Sequence, residues 1–585
     1  MKILNSNPLT VRKYLTINHL INDICDKYKH QTVFCFKKNA TYQSITYSTL
    51  YSDILQVSKY LKTIGFHKND KMVIYSPNCY EMLVTELAVM YSGGIAVPIF
   101  AYFKKETANY LISFCDANYL SIYGEFQFSQ LSEDLNIKQC IIFDNTFYPK
   151  TKQSFNIIHL SKILSQSYDD RLITDESCNE NDICLNMYTS GTMGTPKCVQ
   201  LTHKNILSQQ DALSQLWNVN SSDRFLSYLP WHHSFGGIFE IFSVLYNGAS
   251  YWLESSYGKD IQSIIDNWKI VKPTVFFSVP KIHKSLVEHL YIDKSFEKEL
   301  FHPEFKFIFT AAAPLPINVA NEYIQRKIKI LEGWGLTETS PCCTISEFDG
   351  KKEIGTVGFP IPGVTLAIDE DGEILVKGDN VMKGYYKNES ANKDVFTADG
   401  WFRTGDVGEI TPDGLKIISR KDRIFKLSNG EKVIPSDIEK LLEKKCHYVA
   451  CSIVYGSGKE YPIALIFPNS KFFQNPIYDK TPEDGCFCPR NINELGRCLS
   501  GCLNDVNCDI HQKFSKIKIA AIINKELSID DNTLTPSLKP SPKNIIQKYF
   551  DLISKLYSNK VPDDKDIYVI ILDPLIKNAI NYGGN

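Results

Sequence analysis

Hydrophobic positions alternate between two periods along the first part of the chain. Apolar residues recur every three to four positions in "NHLINDICDKY" and "YEMLVTELAVMYSGG", as is typical of helices. Continuous apolar runs such as "KMVIYSP" and "GIAVPIF" are typical of buried strands. The alternation returns in "FKFIFTAAAPL" and "NVANEYIQRKIKILEGWG". We therefore expect an α/β fold built from parallel β-α units, with ligands at the carboxyl ends of the strands.

The pattern changes after about Gly350 to short β-runs separated by turn residues, as in "GEILVKG", "DGWFRTGDVGEI" and "DGLKIISRKDRIF". These runs predict a β-rich region that completes a large N-terminal domain of α/β subdomains, residues 1–418. A small α+β domain is expected over residues 419–585, with the boundary in the charged stretch "SRKDR". Within it, residues 469–507 are rich in polar residues, proline and cysteine. This segment predicts a loop insertion with one short helix.

Charge and composition narrow the classes of partner. The chain has 585 residues, with 64 basic and 66 acidic side chains and a net charge of −2. No global field favours nucleic acid, so a small-molecule partner is expected. The first residues lack the apolar segment of a secretory signal, and no apolar run approaches the length of about 18 residues that spans a bilayer. We therefore expect a cytoplasmic protein, and peripheral association with a membrane stays open.

Seventeen cysteines are scattered through the chain, which favours reduced thiols over a disulfide framework. One group lies close together in sequence: Cys486, Cys488, Cys498, Cys502 and Cys508. Its C-x-C spacing matches no usual zinc pattern. An insertion without a metal is therefore the favoured interpretation.

The stretch "MYTSGTMGTPKCVQLTHKN", from Met187, combines hydroxyls, glycines and a lysine between an apolar run and a helical segment. A Walker A loop is excluded, because Lys197 follows Pro196 and precedes Cys198 instead of lying between glycine and a hydroxyl residue. What remains is a loop rich in N–H and O–H donors, which suits a polyphosphate. On its own the loop is also compatible with a solvated turn.

The segment "YTSGTMGTPK" resembles the phosphate loop of the adenylate-forming superfamily, which includes acyl-CoA synthetases, aryl-CoA ligases, beetle luciferases and the adenylation domains of peptide synthetases. Five more stretches match its motifs in the same order, so that the resemblance covers essentially the whole chain. They are "LPWHHSFGG", "EGWGLTETSP", "GWFRTGDVG", "SRKDRIFKLSNGEKVIPSDIE" and "NTLTPSLKPSPKNIIQKYF". The last one is most similar to the ending of long-chain fatty-acyl-CoA synthetases.

The resemblance implies a nucleotide site on the N-terminal domain. The β- and γ-phosphates of ATP would be held by the loop residues Thr189, Ser190, Gly191, Thr192, Gly194, Thr195 and Lys197. His233 would orient the acid's carboxylate. Trp334 would cover the adenine face, and Thr337 would bind the α-phosphate. Ala313 and Gly335 would also bind the nucleotide. Glu338 and Thr189 would be the ligands of Mg²⁺, which prefers oxygen donors beside phosphates.

A second set of roles is implied near and within the C-terminal domain, which is mobile in the family. Asp406 would accept hydrogen bonds from the ribose hydroxyls, and Arg420 would also meet the ribose. Asp422 would be the hinge. Lys426 and Gly430 would lie on the loop that faces the active site during thioester formation, and Lys539 would be the lysine of the adenylation step.

The function implied by the resemblance is ATP-dependent ligation of a carboxylic acid to CoA through an acyl-adenylate, with Mg²⁺ as cofactor. A medium- or long-chain fatty acid is favoured. Two alternatives stay open. One is a fatty-acyl-AMP ligase, or a ligase for aryl or other acids, that loads a carrier protein. The other is a nucleotide-binding regulatory protein without turnover.

Some residues depart from the family's pattern. Met193 stands where threonine is usual and cannot donate a side-chain hydrogen bond, and Cys198 stands where glycine is usual. Ala311 and Ala312 replace glycines near the expected adenine site, and Ser419 replaces a frequent aspartate or glycine. None of these departures removes a charge that the implied chemistry needs.

Overall fold

The chain folds into two compact units. The computed structural model describes residues 1–150, 154–172, 178–189, 196–311, 315–347, 356–446, 448–469, 489–528, 531–535, 539–558, 560 and 562–577. The first unit comprises Met1–Thr404 and Gly408–Ile417, and the second comprises Gly405–Val407 and Ile418–Asn585. The predicted boundary after residue 418 lies beside this division. Unlike the prediction, the division places the short segment Gly405–Val407 with the second unit.

Strands and helices alternate through most of the chain up to residue 420. The strands are β1 (Lys2–Asn5), β2 (Thr32–Lys38), β3 (Thr41–Thr46), β4 (Lys71–Tyr75), β5 (Ile95–Ile99), β6 (Tyr119–Ile122), β7 (Gln139–Ile142), β8 (Asn156–His159), β9 (Ile183–Thr189), β10 (Lys197–Thr202), β11 (Arg224–Ser227), β12 (Ser250–Leu253), β13 (Val275–Ser278), β14 (Phe307–Ala311), β15 (Lys329–Trp334), β16 (Thr344–Glu347), β17 (Thr356–Pro360), β18 (Val364–Ile368), β19 (Glu373–Gly378), β20 (Gly384–Tyr385), β21 (Phe402–Thr411) and β22 (Gly414–Arg420). The α-helices are α1 (Ile17–Lys27), α2 (Tyr47–Thr63), α3 (Tyr80–Tyr91), α4 (Lys105–Phe114), α5 (Glu125–Ser129), α6 (Leu160–Ser165), α7 (His203–Ser214), α8 (Ile241–Asn247), α9 (Ile261–Val271), α10 (Pro280–Ile292), α11 (Glu297–Leu300), α12 (Ile317–Gln325) and α13 (Glu389–Val395).

Two large sheets organise this part of the chain. One has the strand order β20-β10-β9-β5-β4-β6-β7-β8 and is parallel from β9 to β8. The other has the order β1-β18-β19-β21-β22-β17-β16-β15-β14-β13-β11-β12-β2-β3. Its segment from β15 to β2 is parallel, whereas β15 to β17 pair antiparallel. The predicted α/β class with an added β-rich region is confirmed.

Local sequence explains where the early elements lie. Helix α1 begins after Thr16, whose side chain accepts a hydrogen bond from the backbone N–H of His19. Its apolar positions Ile17, Leu20 and Ile24 share one buried face. Helix α3 is different, because nearly every side chain from Met82 to Met90 is buried. A helix that is apolar all round belongs inside a large core, and this one contains a carboxyl group.

That carboxyl group is Glu86, whose residue surface is only 3% exposed. Its Oε2 atom has no hydrogen-bond partner among the described residues. Burial raises the pKa of Glu86 to about 8, because the charged form loses its hydration in the core. The folded protein therefore holds a proton on Glu86 at neutral pH.

We expect the wild type to lose stability as the pH rises, because Glu86 becomes charged in the core, and we expect Glu86→Gln to remove this loss. The folded-state pKa exceeds the unfolded value, so the stabilising contribution of the neutral group is complete below about pH 4.5 and is lost as pH rises to about 8. Within that window the free energy of unfolding should fall by up to ~1.4 kcal/mol per pH unit relative to the glutamine variant. Thermal unfolding of both proteins from pH 5 to pH 8 measures this difference. Glu125→Gln, at an exposed glutamate, is the control. A pH-independent gap between wild type and Glu86→Gln would contradict the expectation.

The second unit is a small α+β domain. Its strands beyond residue 420 are β23 (Phe425–Lys426), β24 (Lys432–Val433), β25 (Val449–Tyr455), β26 (Ile463–Pro468), β27 (Ile519–Ile523) and β28 (Ile567–Ile571). Its helices are α14 (Pro435–Lys445), α15 (Ile492–Asp509), α16 (Pro542–Lys548) and α17 (Phe550–Tyr557). Strands β25 to β28 form a four-stranded sheet in chain order, and β23 pairs with β24.

Helix α15 corrects the prediction for residues 469–507. That segment was expected to be a loop insertion with one short helix, but α15 alone has 18 residues. Its buried positions Leu495, Leu499 and Leu503 belong to the same apolar core as Leu442 of α14. Interspersed asparagines and cysteines hide the helical period in the sequence. Residues 470–488 lie outside the described ranges.

Only part of the predicted cysteine group lies within the described residues. Cys486 and Cys488 lie outside the described residues, whereas Cys498 and Cys502 lie on α15. A hydrogen bond with Cys502, and then burial, raise the pKa of the Cys446 thiol at the end of α14. The described residues contain no group of three or more His, Cys, Asp or Glu side chains that could hold a metal ion. No helix in the described ranges has the length and apolarity needed to cross a membrane.

Candidate active site

Several predicted site residues follow the carboxyl ends of neighbouring parallel strands. Strands β11, β13, β14 and β15 lie side by side with parallel register. His233 follows the end of β11, Ala311 ends β14, and Trp334 ends β15. Parallel strands bring their carboxyl ends to one edge of a sheet, where ligands of open α/β folds bind. Ala313 lies just beyond Ala311, outside the described residues.

The phosphate-loop hairpin belongs to the other sheet. Strands β9 and β10 are antiparallel and place Thr189 directly opposite Lys197. The predicted loop residues between them, Ser190, Gly191, Thr192, Gly194 and Thr195, lie outside the described residues, as does Met193. Because Thr189 pairs with Lys197, the two strands fix both ends of the loop.

Cys198 does not share the side of β10 that Lys197 occupies, because successive side chains of a strand point to opposite faces. Its residue surface is 1% exposed, and its thiol lies within hydrogen-bonding reach of Tyr188. Burial raises the pKa of Cys198. The replacement of a glycine by cysteine at this position therefore adds to the packing of the sheet, while the loop's lysine is kept.

A polar cluster joins this hairpin to the segment that follows β15. Thr337 and Glu338 lie in a short 3-10 helix, Thr337–Thr339. The hydroxyls of Ser234 and Thr337 are 3.0 Å apart. The phenol of Tyr385 donates a hydrogen bond of 2.8 Å to Glu338 Oε1. The Nζ atom of Lys197 lies 4.7 Å from the centroid of the Tyr385 ring. Lys197 and Glu338, 141 positions apart in sequence, thus contact the same tyrosine.

The backbone of the segment carrying Thr337 and Glu338 is fixed by two buried amides. Asn380 donates hydrogen bonds to the carbonyls of Thr339 and Cys342, at 3.1 and 3.3 Å. Gln209 of α7 donates to the carbonyl of Ser340 and accepts from the N–H of Cys342 at 3.3 Å. Both amides are at most 2% exposed. Such fixed backbone positions hold polar side chains in place before a ligand binds.

Gly335 allows the same segment to fold back on itself. A Cβ atom built at this position would lie 1.8 Å from the carbonyl oxygen of Pro341. No side chain larger than hydrogen fits there without moving the backbone. The glycine of the predicted adenine-site motif is therefore required by a close backbone approach.

His233 occupies a turn that begins the helical segment after β11. Its backbone N–H donates to the carbonyl of Pro230 at 3.1 Å, and its Nδ1 atom accepts from the N–H of Phe235 at 3.3 Å. This contact leaves Nε2 as the ring nitrogen that carries the proton in the neutral form. The adjacent His232 packs against Phe100, with ring centroids 5.1 Å apart. Desolvation lowers the pKa of His232 to about 4, so that His232 is neutral at pH 7.

The donor set suits Mg²⁺. Glu338 would provide a carboxylate, and Thr189, at the end of β9, would provide a hydroxyl. Both are hard oxygen ligands, and Mg²⁺ at nucleotide sites is typically held by one or two such groups together with phosphates and water. The hydrogen bond from Tyr385 occupies Oε1 of Glu338 and fixes the orientation of the carboxylate.

The second unit contains the predicted ribose-binding pair. The Arg420 guanidinium lies 3.0 Å from Asp406 Oδ1, and the side chain of Asp406 is only 8% exposed. Gly405, with φ of +71°, gives the guanidinium room, because a Cβ atom there would lie 3.2 Å from Arg420 Nη2. Asp422, the predicted hinge, lies in the short helix Lys421–Arg423, with its Oδ1 atom 3.8 Å from Arg420 Nε.

The remaining predicted residues of this unit lie on exposed turns. Lys426 ends β23 and is exposed, and its carbonyl accepts from the N–H of Gly458 at 2.9 Å. Gly430, in the β23–β24 turn, has φ of +88°. Lys539 is exposed and closes a turn in which its N–H donates to Thr535 Oγ1 at 3.1 Å and its carbonyl accepts from the Thr535 N–H at 2.8 Å.

Four side chains of the described clusters were not predicted from the sequence: Ser234, Tyr385, Gln209 and Asn380. Ser234 lies inside a matched motif, so its position offered a signal. Tyr385 lies in the run "GYYK", in which two tyrosines flanked by a glycine and a lysine were the available signal. Gln209 and Asn380 act only through tertiary contacts, and a single sequence offers no pattern that marks them.

Comparisons with known proteins identify the family of the chain. The family described as AMP-binding enzyme matches residues 22–386, and the AMP-binding enzyme C-terminal domain matches residues 422–561. Long chain acyl-CoA synthetase 3 of Arabidopsis thaliana is 28% identical, with 88% of this chain and 86% of that protein covered.

Solved structures share the fold. ATP-bound MatB from Rhodopseudomonas palustris has a TM-score of 0.73 at 21% identity, covering 92% of this chain and 99% of that one. O-succinylbenzoate coenzyme A synthetase (MenE) from Bacillus subtilis in complex with AMP has a TM-score of 0.70 at 20% identity, covering 89% and 97%. The match of the AMP-binding enzyme family to more than half of the chain confirms the resemblance drawn from the motifs, and the chain belongs to that family.

Proposed function

We propose that this chain is an AMP-forming acid–CoA ligase that activates a medium- or long-chain fatty acid. The observation that carries the proposal is the cluster in which Tyr385 contacts both Lys197 of the phosphate-loop hairpin and Glu338 beyond β15. Tyr385 thus holds a cation that suits phosphate and a carboxylate that suits Mg²⁺. This pair of groups suits a nucleotide that binds together with its metal. Membership of the AMP-binding enzyme family and similarity to a long chain acyl-CoA synthetase support the same reaction.

In the first half-reaction a carboxylate oxygen attacks the α-phosphorus of ATP. The bond from the α-phosphorus to the bridging oxygen breaks, and pyrophosphate leaves with the electron pair. Lys197 and the phosphate loop hold the β- and γ-phosphates, while His233 orients the carboxylate and Thr337 contacts the α-phosphate. Glu338 and Thr189 would hold Mg²⁺, which when bound neutralises phosphate charge. Lys539 stabilises the negative charge that gathers in the transition state.

In the second half-reaction the thiol sulfur of CoA attacks the acyl carbon of the adenylate. The bond from this carbon to the bridging oxygen breaks, AMP leaves with the electron pair, and the thiol proton is released. The C-terminal domain rotates about Asp422, so that Lys539 withdraws and the loop with Lys426 and Gly430 serves this step. Asp406 and Arg420 hold the ribose. Trp334 covers the adenine, and Gly335 and Ala313 are the further residues proposed to bind the nucleotide.

An aromatic cluster supports an apolar acid. Phe235 follows His233 and Ser234 directly, and its ring centroid lies 5.8 Å from that of Phe309. Phe309 in turn lies 4.6 Å from Phe239. These rings are buried in the core of the N-terminal unit. An acid whose carboxylate reaches His233 would therefore approach an apolar region, where burial of each methylene contributes ~0.8 kcal/mol. A hydrocarbon chain suits this environment better than a polar acid.

Acid-dependent exchange of labelled pyrophosphate into ATP tests the proposal. We expect exchange with saturated fatty acids, with kcat/KM for the acid rising about fourfold per added methylene over part of the series. Thioester formation should then require CoA. Matched series of fatty and aryl carboxylic acids, each assayed with CoA and with a phosphopantetheinylated carrier protein, distinguish the acid class and the acceptor.

Three results would contradict the proposal in different ways. Exchange with aryl acids alone would exclude the fatty acid. Acyl transfer to the carrier protein without transfer to CoA would exclude the CoA ligase. ATP binding without exchange for any acid in the series would leave a nucleotide-binding protein without turnover.

A further inference from the structure

Tyr385 is held in its position by its backbone. In β20 it pairs with Val199 of β10, next to the end of the phosphate-loop hairpin. Its N–H donates to Asn392 Oδ1 at 2.7 Å, and its carbonyl accepts from Asn392 Nδ2 at 3.0 Å. The residue is 4% exposed. Because these contacts do not involve the phenol, the hydroxyl can be removed without changing what fixes the residue.

The side chain of Tyr385 makes two different contacts with two charged groups. Its hydroxyl donates to Glu338 Oε1 at 2.8 Å, and the face of its ring lies 4.7 Å from Lys197 Nζ. Neither contact is an ion pair. A direct salt bridge between Lys197 and Glu338 would neutralise both groups, whereas a neutral phenol orients the carboxylate and the ammonium and leaves each its full charge. The carboxylate stays available to a metal and the ammonium to a phosphate.

The position of Glu338 is secured from the backbone side as well. The N–H of Met382, three residues before Tyr385, donates to the Glu338 carbonyl at 2.8 Å. The chain from residue 380 to residue 385 therefore fixes both the backbone and the side chain of Glu338. A carboxylate whose second shell is fixed in this way binds a metal more tightly than a mobile one.

We propose that Tyr385 is a positioning residue that couples the metal-binding carboxylate of Glu338 to the phosphate-binding ammonium of Lys197. This inference rests on the roles given to Glu338 and Lys197 in the proposed function. In this role Tyr385 acts through Glu338 and Lys197, the two groups that it contacts. Its hydroxyl acts on metal binding, and its ring acts on nucleotide binding.

Two substitutions separate these effects, and a third is a matched control. Tyr385→Phe removes the hydroxyl and keeps the ring over Lys197. Tyr385→Leu removes both contacts. The control is Tyr386→Phe: Tyr386 donates a hydrogen bond of 2.7 Å to the carboxylate of Asp116, and Lys71 lies 4.7 Å from its ring centroid. Tyr386→Phe therefore removes a phenol–carboxylate hydrogen bond of the same kind and keeps a ring beside a lysine. It does so one residue away from Tyr385 and without touching Glu338.

The readouts are two binding equilibria, both measured with the 585-residue chain. Mn²⁺, which accepts the same oxygen ligands as Mg²⁺, is titrated by electron paramagnetic resonance in the presence of saturating ATP. ATP is titrated by calorimetry with EDTA present. We expect Tyr385→Phe to weaken Mn²⁺ binding about three- to tenfold with little change in metal-free ATP binding. Tyr385→Leu should in addition weaken metal-free ATP binding about two- to fivefold, and Tyr386→Phe should change neither by more than about twofold.

The variant Glu338→Gln distinguishes a failure of the role proposed for Tyr385 from a failure of the metal role proposed for Glu338. If it weakens Mn²⁺ binding but Tyr385→Phe does not, the positioning role of Tyr385 is overturned and the metal role of Glu338 stands. If Glu338→Gln also binds Mn²⁺ like the wild type, the metal assignment in the proposed function falls, and this inference falls with it. An equal loss in Tyr386→Phe and Tyr385→Phe would likewise overturn the proposal. Because Tyr385→Phe keeps every backbone contact of the residue, a cooperative thermal unfolding transition like that of the wild type is expected to show that the variant folds.

Discussion

Lys539→Ala is expected to lower acid-dependent pyrophosphate exchange by about two or more powers of ten, since a cation that faces developing negative charge in a water-poor site contributes a few kcal/mol to the transition state. The same variant should still convert a supplied acyl-adenylate and CoA to the thioester at a rate close to that of the wild type. The two rates, measured by isotope exchange and by thioester formation, test both parts.

The substitution Lys539→Ala should leave the local backbone unchanged. The turn that carries Lys539 is closed by backbone contacts with Thr535, so that removal of the side chain leaves those contacts in place. The control is Lys543→Ala, at an exposed lysine of α16, which should leave both rates unchanged. If both half-reactions of Lys539→Ala fall equally, the assignment of separate lysines to the two steps is wrong.

Asp406→Asn should raise the KM for ATP about ten- to hundredfold, because an ionised carboxylate that accepts hydrogen bonds contributes roughly 1.5–3 kcal/mol. It should also abolish discrimination between ATP and 2′-deoxy-ATP, since the amide replaces one acceptor oxygen by a donor. The measurement is the ratio of kcat/KM for the two nucleotides. Because the two nucleotides differ only in the 2′-hydroxyl, a change in this ratio reports on a contact with the ribose hydroxyls.

A matched carboxylate controls for the loss of an ion pair. Asp369 lies 3.0 Å from Arg403, the distance that separates Asp406 from Arg420. Asp369→Asn therefore breaks a comparable pair and should leave the nucleotide preference intact. Should Asp406→Asn keep the wild-type preference for ATP, the ribose assignment would be refuted.

Strong periodicity made much of the fold predictable from the sequence. The apolar spacing of "NHLINDICDKY" corresponds to α1, and the continuous run "KMVIYSP" corresponds to β4 with its proline outside the strand. In "NVANEYIQRKIKILEGWG" the change of period marks the end of α12 and the start of β15. Such segments bury whole faces, so their pattern is dictated by the core.

The parts that escaped prediction depend on tertiary contacts. Helix α15 is polar enough on its outer face to resemble a loop. Its leucines recur every four residues, but the sequence does not show that they pack into the same core as α14. The contact between Tyr385 and Glu338 joins positions 47 residues apart through a strand of two residues. Cys198 looked like a departure from a phosphate loop, yet its side chain is buried in the sheet. A single sequence can mark such residues locally, but it does not show which distant residue each one contacts.

The measurement that tests the central claim most directly follows an oxygen atom. A fatty acid labelled with ¹⁸O in its carboxylate is incubated with the enzyme, ATP, Mg²⁺ and CoA, and the nucleotide product is analysed by mass spectrometry. Attack of the carboxylate on the α-phosphorus predicts AMP that carries one labelled oxygen from the acid. Formation of ADP, or of AMP without the label, would contradict the account.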